Sequence, residues 1–508
     1  MADAWQTHSF EFKGGLITNL SPYQQGFQAP GSARILRNFE PSIFGGYRKV
    51  EGYEKFDTTI IPNTGLIRGL HRYGDQVYVV RGDDLFRSSG SGWTQISDNA
   101  TYNSAGVTIS GSGKVRFLNY NFDGTDKFIL VDGTDKPYRF DGITFERLTS
   151  LPVDVLGASF VVNFKNHIMY GNGKNLVFGA SYKDNDLTIA NGGGILNIAD
   201  TITGLIVFRE QLIIFSESSI NVLNGNSVAD FVLQPVSRDL GCVAEDTIQE
   251  IGGDVIFLGP DGLRLFSATD RIGDFSLASV SKTIQAEILD LLNTRPNGFS
   301  STVIREKSQY RIFGFNLGYT NNAAKGVAAT QLESGLSFND LRGFKAYVAY
   351  SEYDGRNEFV YFSGSDGYVY RMEQGNSFDG TPIPATFATP FIPLGDPKVR
   401  KTIYKSTTYL DANGEFDLRQ TLKFDFDQPN AIQPKSILLS SESLAAATYG
   451  SGSFGASSFG GKQQTSYEVQ TVGSGFTVSI IYETDETNVD TTFTIDAATL
   501  QYITNARR

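Results

Sequence analysis

The chain holds one cysteine, Cys242, and three histidines, His8, His71 and His167, among 508 residues. A lone thiol excludes an internal disulfide and any multi-cysteine zinc site, and the wide histidine spacing matches no metal motif. Charge is also sparse. Charged residues make up 19%, with an acidic excess that gives a net −12, against a usual share of about a quarter. Nonspecific capture of nucleic acid needs clustered Lys and Arg, so this balance argues against it. No apolar run approaches the roughly 18 residues of a membrane span. Residues 1–10 lack the basic-then-apolar order of a secretory leader. The expectation is a protein made and folded in a cytoplasm, without membrane insertion.

Helix signals are scarce as well. Only residues 281–293, SKTIQAEILDLLN, place Ile284, Ile288, Leu291 and Leu292 on one face, with Ser281 as a possible cap. What is abundant is aromatic residues, at 13%, and glycine, at 54 residues. With Thr, Val and Ile they give the composition of strands joined by tight turns.

A repeat runs through the middle of the chain. A short apolar strand, a Gly- or Asp-containing turn and a second strand recur, with first strands starting at 77, 128, 167, 212, 255, 310 and 359. Val255-Ile256-Phe257-Leu258, then Gly259-Pro260-Asp261-Gly262, then Leu263-Arg264-Leu265-Phe266 is a clear copy, and Tyr310-Arg311-Ile312-Phe313 a degraded one. The spacings run from 39 to 55 residues, the size of a four-stranded propeller blade. The first strand of most copies is apolar on both faces, as a strand packed between neighbouring blades must be. The fold class read from this pattern is all-β, an irregular β-propeller of six to eight blades over residues 58–380. Hairpins in unrelated β-sandwiches are the competing arrangement.

Two flanks differ from the repeat. Residues 1–57 balance their charges, yet 34–49 concentrate Arg34, Arg37, Arg48 and Lys49 against one acidic residue, Glu40. Gly45-Gly46 sets a turn between Phe44 and Tyr47. Two readings stand side by side: a solvated loop closing the propeller, or a contact segment for a partner chain. In the second, Arg34, Arg37, Arg48 and Lys49 supply complementary charge, and Phe39, Phe44 and Tyr47 are buried anchors. Residues 381–508 again alternate like strands. Within them 445–461 is small-residue rich, with Tyr449, Phe454 and Phe459 at intervals of five. It reads as a flexible surface loop or as an arm that orders on a neighbouring subunit.

No catalytic constellation is marked. Asp184 with Asp186, and Asp425 with Asp427, read as solvated turn residues. Residues 485–490, DETNVD, lack the Gly and distal Glu of a calcium loop and read as a hairpin turn. No GxxxxGK phosphate loop occurs, and His167 in its apolar strand reads as structural. Neither an enzyme nor a cofactor is expected.

Residues 13–57 carry a resemblance. Gly14-Gly15-Leu16, Ser21-Pro22, Pro30-Gly31 before Ala33, Asn38-Phe39-Glu40-Pro41, Gly45-Gly46-Tyr47-Arg48-Lys49 and Gly52-Tyr53 resemble the opening of phage tail proteins of the nozzle family. These are also called tail tubular protein B-like or packaged-DNA stabilisation proteins. The resemblance implies a structural virion protein: a hexameric ring at the distal end of a short tail, assembled in host cytoplasm. Each subunit would be a propeller with a β-rich platform built from 1–57 and 381–508. It would attach to a tail adaptor ring, contact tail fibres or a tail tip protein, and enclose the channel through which genomic DNA leaves without specific binding. With the net charge, it implies an acidic or neutral channel wall. A carbohydrate-binding or carbohydrate-hydrolysing propeller is the alternative, needing clustered carboxylates and exposed aromatics on one face.

Overall fold

The computed structural model describes residues 5–505 apart from 104–105, 268–278, 295–297, 319, 321–322, 413, 429–431, 441–465, 486 and 488. The glycine-aromatic stretch 445–461 lies outside the described residues.

Each apolar strand of the repeat is the second strand of a blade, and successive side chains serve opposite neighbours. Val77 and Val79 of blade 1 pack toward blade 7, while Tyr78 and Val80 join Phe128 and Leu130 of blade 2. Ile129 and Val131 then meet Ile168 and Tyr170 of blade 3, and Met169 meets Leu212 and Ile214 of blade 4. Ile213 and Phe215 meet Val255 and Phe257 of blade 5, whose Ile256 and Leu258 meet Tyr310 and Ile312 of blade 6. Phe313 packs with Val360 and Phe362 of blade 7, and Tyr361 returns to blade 1. Seven inter-blade cores close the circle. The architecture is a seven-bladed β-propeller made of antiparallel sheets, which fixes the count that spacing left at six to eight.

Blades 1 to 4 are four-stranded sheets from contiguous sequence, and the degraded copy at 310 is the second strand of a complete blade. Among the described residues blade 5 has three strands and an isolated bridge, Arg264 to Ser279, on its outer side. The helix beside it spans Gln285–Asn293 after a 3-10 turn at Lys282–Ile284. Ser281 does not cap it. Its hydroxyl instead accepts the Leu263 N–H at 3.0 Å, because a buried strand end has greater need of an acceptor.

The N-terminal flank is threaded through three sheets. β1 (Gln6–Glu11) pairs with the strand Phe493–Asn505. β2 (Ile35–Arg37) lies parallel to the outer strand of blade 6 and antiparallel to Thr386–Ala388. β3 (Phe39–Pro41) and β4 (Tyr47–Lys49) form a hairpin against Phe493–Asn505. β5 (Tyr53–Lys55) is the fourth strand of blade 7, so the propeller takes a strand from within the 1–57 flank. Gly52 makes this entry possible: a Cβ there would lie 2.0 Å from the Ser377 carbonyl oxygen.

The two flanks together build a platform of two facing sheets. One is six-stranded: β3, β4, Phe493–Asn505, Arg400–Ala412 and Ser466–Gly475, with β1 beside Phe493–Asn505. The other continues blade 6 through β2 into Thr386–Ala388, Val478–Thr484, Asp417–Phe424 and Ile437–Ser440. Ile403, Leu410, Leu500 and Tyr502 of the first sheet share a core with Phe387, Leu418, Ile480 and Tyr482 of the second. A buried polar cluster pins the layers together: the Gln420 amide donates to Ser406 Oγ at 2.9 Å and to Tyr482 Oη at 3.2 Å. Residues 485–490 are not a hairpin turn. The strands before and after them belong to different sheets, so the segment crosses between layers.

Candidate functional site

The hairpin 39–49 is the local structure that carries the expected contact residues, and its two ends differ. At the base, Phe39 and Tyr47 are fully buried in the platform core, with Phe387 4.8 Å from the Tyr47 ring. The Tyr47 hydroxyl donates to the Gly31 carbonyl at 3.1 Å. Lys49 is 1% exposed, and its Nζ donates to the Asp490 carbonyl at 2.8 Å. Burial pushes the Lys49 amine down to about 8, with Asp490 opposing. These three side chains are spent inside the chain and leave no surface for a partner.

At the tip, Ser42 to Gly46 turn back on themselves. Gly45 and Gly46 have φ of +98° and +75°, and a Cβ on Gly46 would lie 2.7 Å from the Ile495 oxygen, so the turn depends on glycine. Ile43 is 51% and Phe44 94% exposed. Of the remaining basic residues, Arg34 is half-buried over the Phe391 ring at 5.3 Å. Arg37 is exposed and reaches Asp340 at 3.2 Å. Arg48 turns inward.

That inward turn leads to the main electrostatic feature. Glu40, 3% exposed, accepts from Lys307 at 2.9 Å and Arg311 at 3.2 Å, with Arg48 at 3.4 Å. Glu373 pairs with Lys307 and, at 2.8 Å, with Arg311. Glu51 pairs with Arg48 at 2.6 Å. Three cations and three carboxylates thus meet where the N-terminal flank, blade 6 and the end of blade 7 converge. Burial opposes ionisation of Glu40, but Lys307 and Arg311 overcome it and hold the carboxyl below its usual range. Glu373 is held low against burial by the same two cations. At Glu51 burial wins and the carboxyl sits high. Buried charge of this kind locks position more than it adds stability. The arrangement can join propeller to platform rigidly; it offers no nucleophile beside a base.

Lys307, Arg311 and Glu373 escaped the sequence reading. A signal was present: Arg311 interrupts an otherwise apolar strand, and a charge in a strand buried on both faces needs a partner.

A second ionic cluster crosses the propeller axis. Arg116 of blade 2 clasps Asp246, with Nε to Oδ1 at 2.7 Å and Nη2 to Oδ2 at 3.0 Å, and its Nη2 also reaches Glu245 at 2.8 Å. Its guanidinium lies over the Phe160 ring at 4.3 Å. Lys114 joins Asp246 at 3.0 Å and donates to the Phe299 carbonyl of blade 6. Burial resists the Asp246 charge, yet Arg116 and Lys114 drive its carboxyl far below the ordinary range. A cavity of about 240 Å³ adjoins this brace, lined among others by His71, Gln249, Ser301 and Tyr350. His71 stacks on Phe117 at 4.9 Å, its Nε2 is 2.7 Å from Asn119 Oδ1, and burial pushes it down to about 4. His167 has its Nδ1 2.7 Å from the Gly179 carbonyl in a buried strand. Among the described residues no group of three or more His, Cys, Asp or Glu is placed to hold a metal ion, and no helix is long and apolar enough to cross a membrane.

No family model matches the chain, and no curated protein matches it. Solved structures do match. The computationally designed Ika8 protein is 11% identical at a TM-score of 0.35, covering 63% of this chain and 99% of that one. An ancestral GH74 enzyme is 9% identical at 0.41, covering 66% of this chain and 50% of that one. YCF48 bound to D1 peptide is 12% identical at 0.36, covering 64% and 99%. All three are β-propellers. The propeller assignment here rests on the seven sheets and the seven cores between them.

Proposed function

We propose that this chain is a structural subunit of a phage tail, forming the distal nozzle ring around the DNA exit channel and attached to an adaptor ring. The observation that carries the reading is the position of the family-like segment. Several of its motifs serve the join between propeller and platform. Gly15, with φ +64°, leaves no room for a Cβ, which would lie 2.8 Å from the Phe338 nitrogen. Ser21 caps the short helix Pro22–Gln28 by accepting from the Gln24 N–H at 3.3 Å. Glu40 centres the buried ionic network, and Gly52-Tyr53 feeds blade 7. A segment whose buried chemistry is largely joinery suits a load-bearing part. The exposed Arg37 and Phe44 are the surviving candidates for adaptor or neighbour contact.

Native mass spectrometry of the purified protein, alone and with its adaptor, tests the proposal. A species of six times the monomer mass that joins tails is the expected result. Duplex DNA should bind weakly even at low salt, since an acidic or neutral wall grips few phosphates. A protein that stays monomeric at high concentration and is absent from tails overturns the reading. Release of reducing ends from host polysaccharide would favour the carbohydrate-active alternative.

A further inference from the structure

Outer sheet edges expose unpaired N–H and C=O groups, and proteins blunt them with short strands, proline, lysine or bulges. The outer edges of blades 1 to 4 and of blade 7 follow that rule. The outermost strands of blades 1, 2 and 3 have only two, three and four residues, Thr94–Gln95, Phe145–Arg147 and Gly194–Asn197. That of blade 4 carries Pro235, and the sheet of blade 7 ends on Thr381–Pro382. In the platform, β3 ends on Pro41 and Ile437–Ser440 is four residues long.

Two further edges carry neither proline nor lysine, and both belong to the six-stranded sheet. Ser466–Gly475 is ten residues long, holds no proline or lysine, and among the described residues pairs only with Arg400–Ala412, in register from 466 to 470 and across one bulge between Gln470 and Gly473. β1, QTHSFE, is six residues long, equally free of proline and lysine, and pairs only with Phe493–Asn505. The end of β1 is covered where Gly31 backs onto the Glu11 oxygen. Among the described residues no strand pairs along the outer side of residues 6–9 and 467–472. Between these edges every pairing is antiparallel: β1 with Phe493–Asn505, that strand with Arg400–Ala412, and that one with Ser466–Gly475. Four alternating strands leave the two outer ones running in opposite directions. A second copy laid beside the first in the same sense therefore meets it antiparallel, continuing the pattern.

We propose that the platform sheet extends head to tail from copy to copy, with residues 467–472 of one chain pairing with residues 6–9 of the next. The partner is a second copy because one chain offers both complementary edges on opposite sides of one sheet. Such a heterologous contact closes into a ring when its rotation permits. The inference names the contact for the proposed ring and rests on that reading.

Paired cysteines test it. Ser9, Glu468, Gln470 and Val472 are all exposed, and cross-strand Cβ atoms in register lie about 4.5–5.5 Å apart, within reach of a disulfide. Cys242 is buried and stays silent. Ser9→Cys is combined in turn with Glu468→Cys, Gln470→Cys and Val472→Cys, and the proteins are oxidised mildly. The expected result is a reducible ladder of covalent oligomers, reaching the size of the ring, in at least one double variant and in none of the single ones. Dimers from a single variant at 468, 470 or 472 would mean like-to-like pairing and overturn the proposal. No ladder in a protein whose native mass is that of a ring also overturns it and leaves the ring standing. No ladder in a monomeric protein overturns both.

Discussion

In the propeller, blades 1 to 4 are each drawn from one short stretch of chain, and each strand pairs with the next in sequence. In the platform, Gln6 lies opposite Tyr502 and Arg37 beside Asp340. The propeller closes its circle with one borrowed strand, β5; the platform is borrowed strands almost throughout. The regions also differ at their borders: short or proline-bearing outer edges on the blades, two long open edges on the platform. Local sheets can fold early and be sealed. A sheet assembled from distant strands depends on the other region to hold its parts in place. The buried charges around Glu40 are where the propeller supplies that hold.

The sharpest way to break this dependence is at Glu40. Glu40→Ala leaves Lys307 and Arg311 buried with one carboxylate fewer, and an orphaned buried charge costs about 3–5 kcal/mol. Urea unfolding should show the platform lost before the propeller. A single transition at the wild-type midpoint would mean that the regions do not lean on each other. Next is the borrowed blade strand. Tyr53 stacks on Phe378 at 4.9 Å and donates to the Gly343 carbonyl at 3.0 Å. Tyr53→Ala should cost about 3 kcal/mol by cavity formation, read as a lower thermal midpoint of the propeller.

Acid sharpens the comparison further. Glu40, Glu373 and Asp246 have carboxyls below their ordinary range. Each binds protons more readily in the unfolded chain. Their contribution is complete above the ordinary carboxylate range and is lost as pH falls through the lower folded values, at roughly 1.4 kcal/mol per pH unit for each proton taken up. Glu51 and Asp490 are shifted upward, so their ionised forms oppose folding and protonation relieves them. Stability measured from pH 6 to pH 2 should therefore fall, and Asp246→Asn should flatten the propeller's share of that fall. An unchanged slope would assign the acid response to the platform junction alone. The smallest effect on stability belongs to the hairpin tip. Phe44→Ala should change the unfolding free energy by no more than about 0.5 kcal/mol while weakening association with a neighbour or adaptor. A marked loss of monomer stability would show that Phe44 packs on its own chain.

The same contrast explains what could be read from the sequence. Seven copies of the repeat, one of them degraded, were legible because the second strand of a blade is apolar on both faces and its turns need Gly or Asp, while the blade count stayed at six to eight. Both are local signals. The platform showed only as alternation, since strands tens to hundreds of residues apart leave no mark on each other in one sequence. The segment 485–490 looked like a hairpin turn because its flanking strands alternate, and nothing local tells which sheet each strand joins. In the contact segment, the position of the hairpin was legible from Gly45-Gly46, but its orientation was not. Phe39, Tyr47 and Lys49 point inward and Phe44 outward because of packing against Phe387 and residues 490–495.

The strand Phe493–Asn505 pairs with β1, β4 and Arg400–Ala412, and this sets a schedule for synthesis. At about 5–20 residues per second, β1 leaves the ribosome roughly 25–100 s before the strand it must join. During that interval the blades can form one after another, while the N-terminal flank has no platform to enter. A nascent chain interrupted after blade 7, whose sheet ends at Thr381–Pro382, but before residue 493 can thus carry a folded propeller and no finished platform sheet. Assembly through that sheet would admit only chains translated past their last platform strand, so the fold itself inspects each subunit for length.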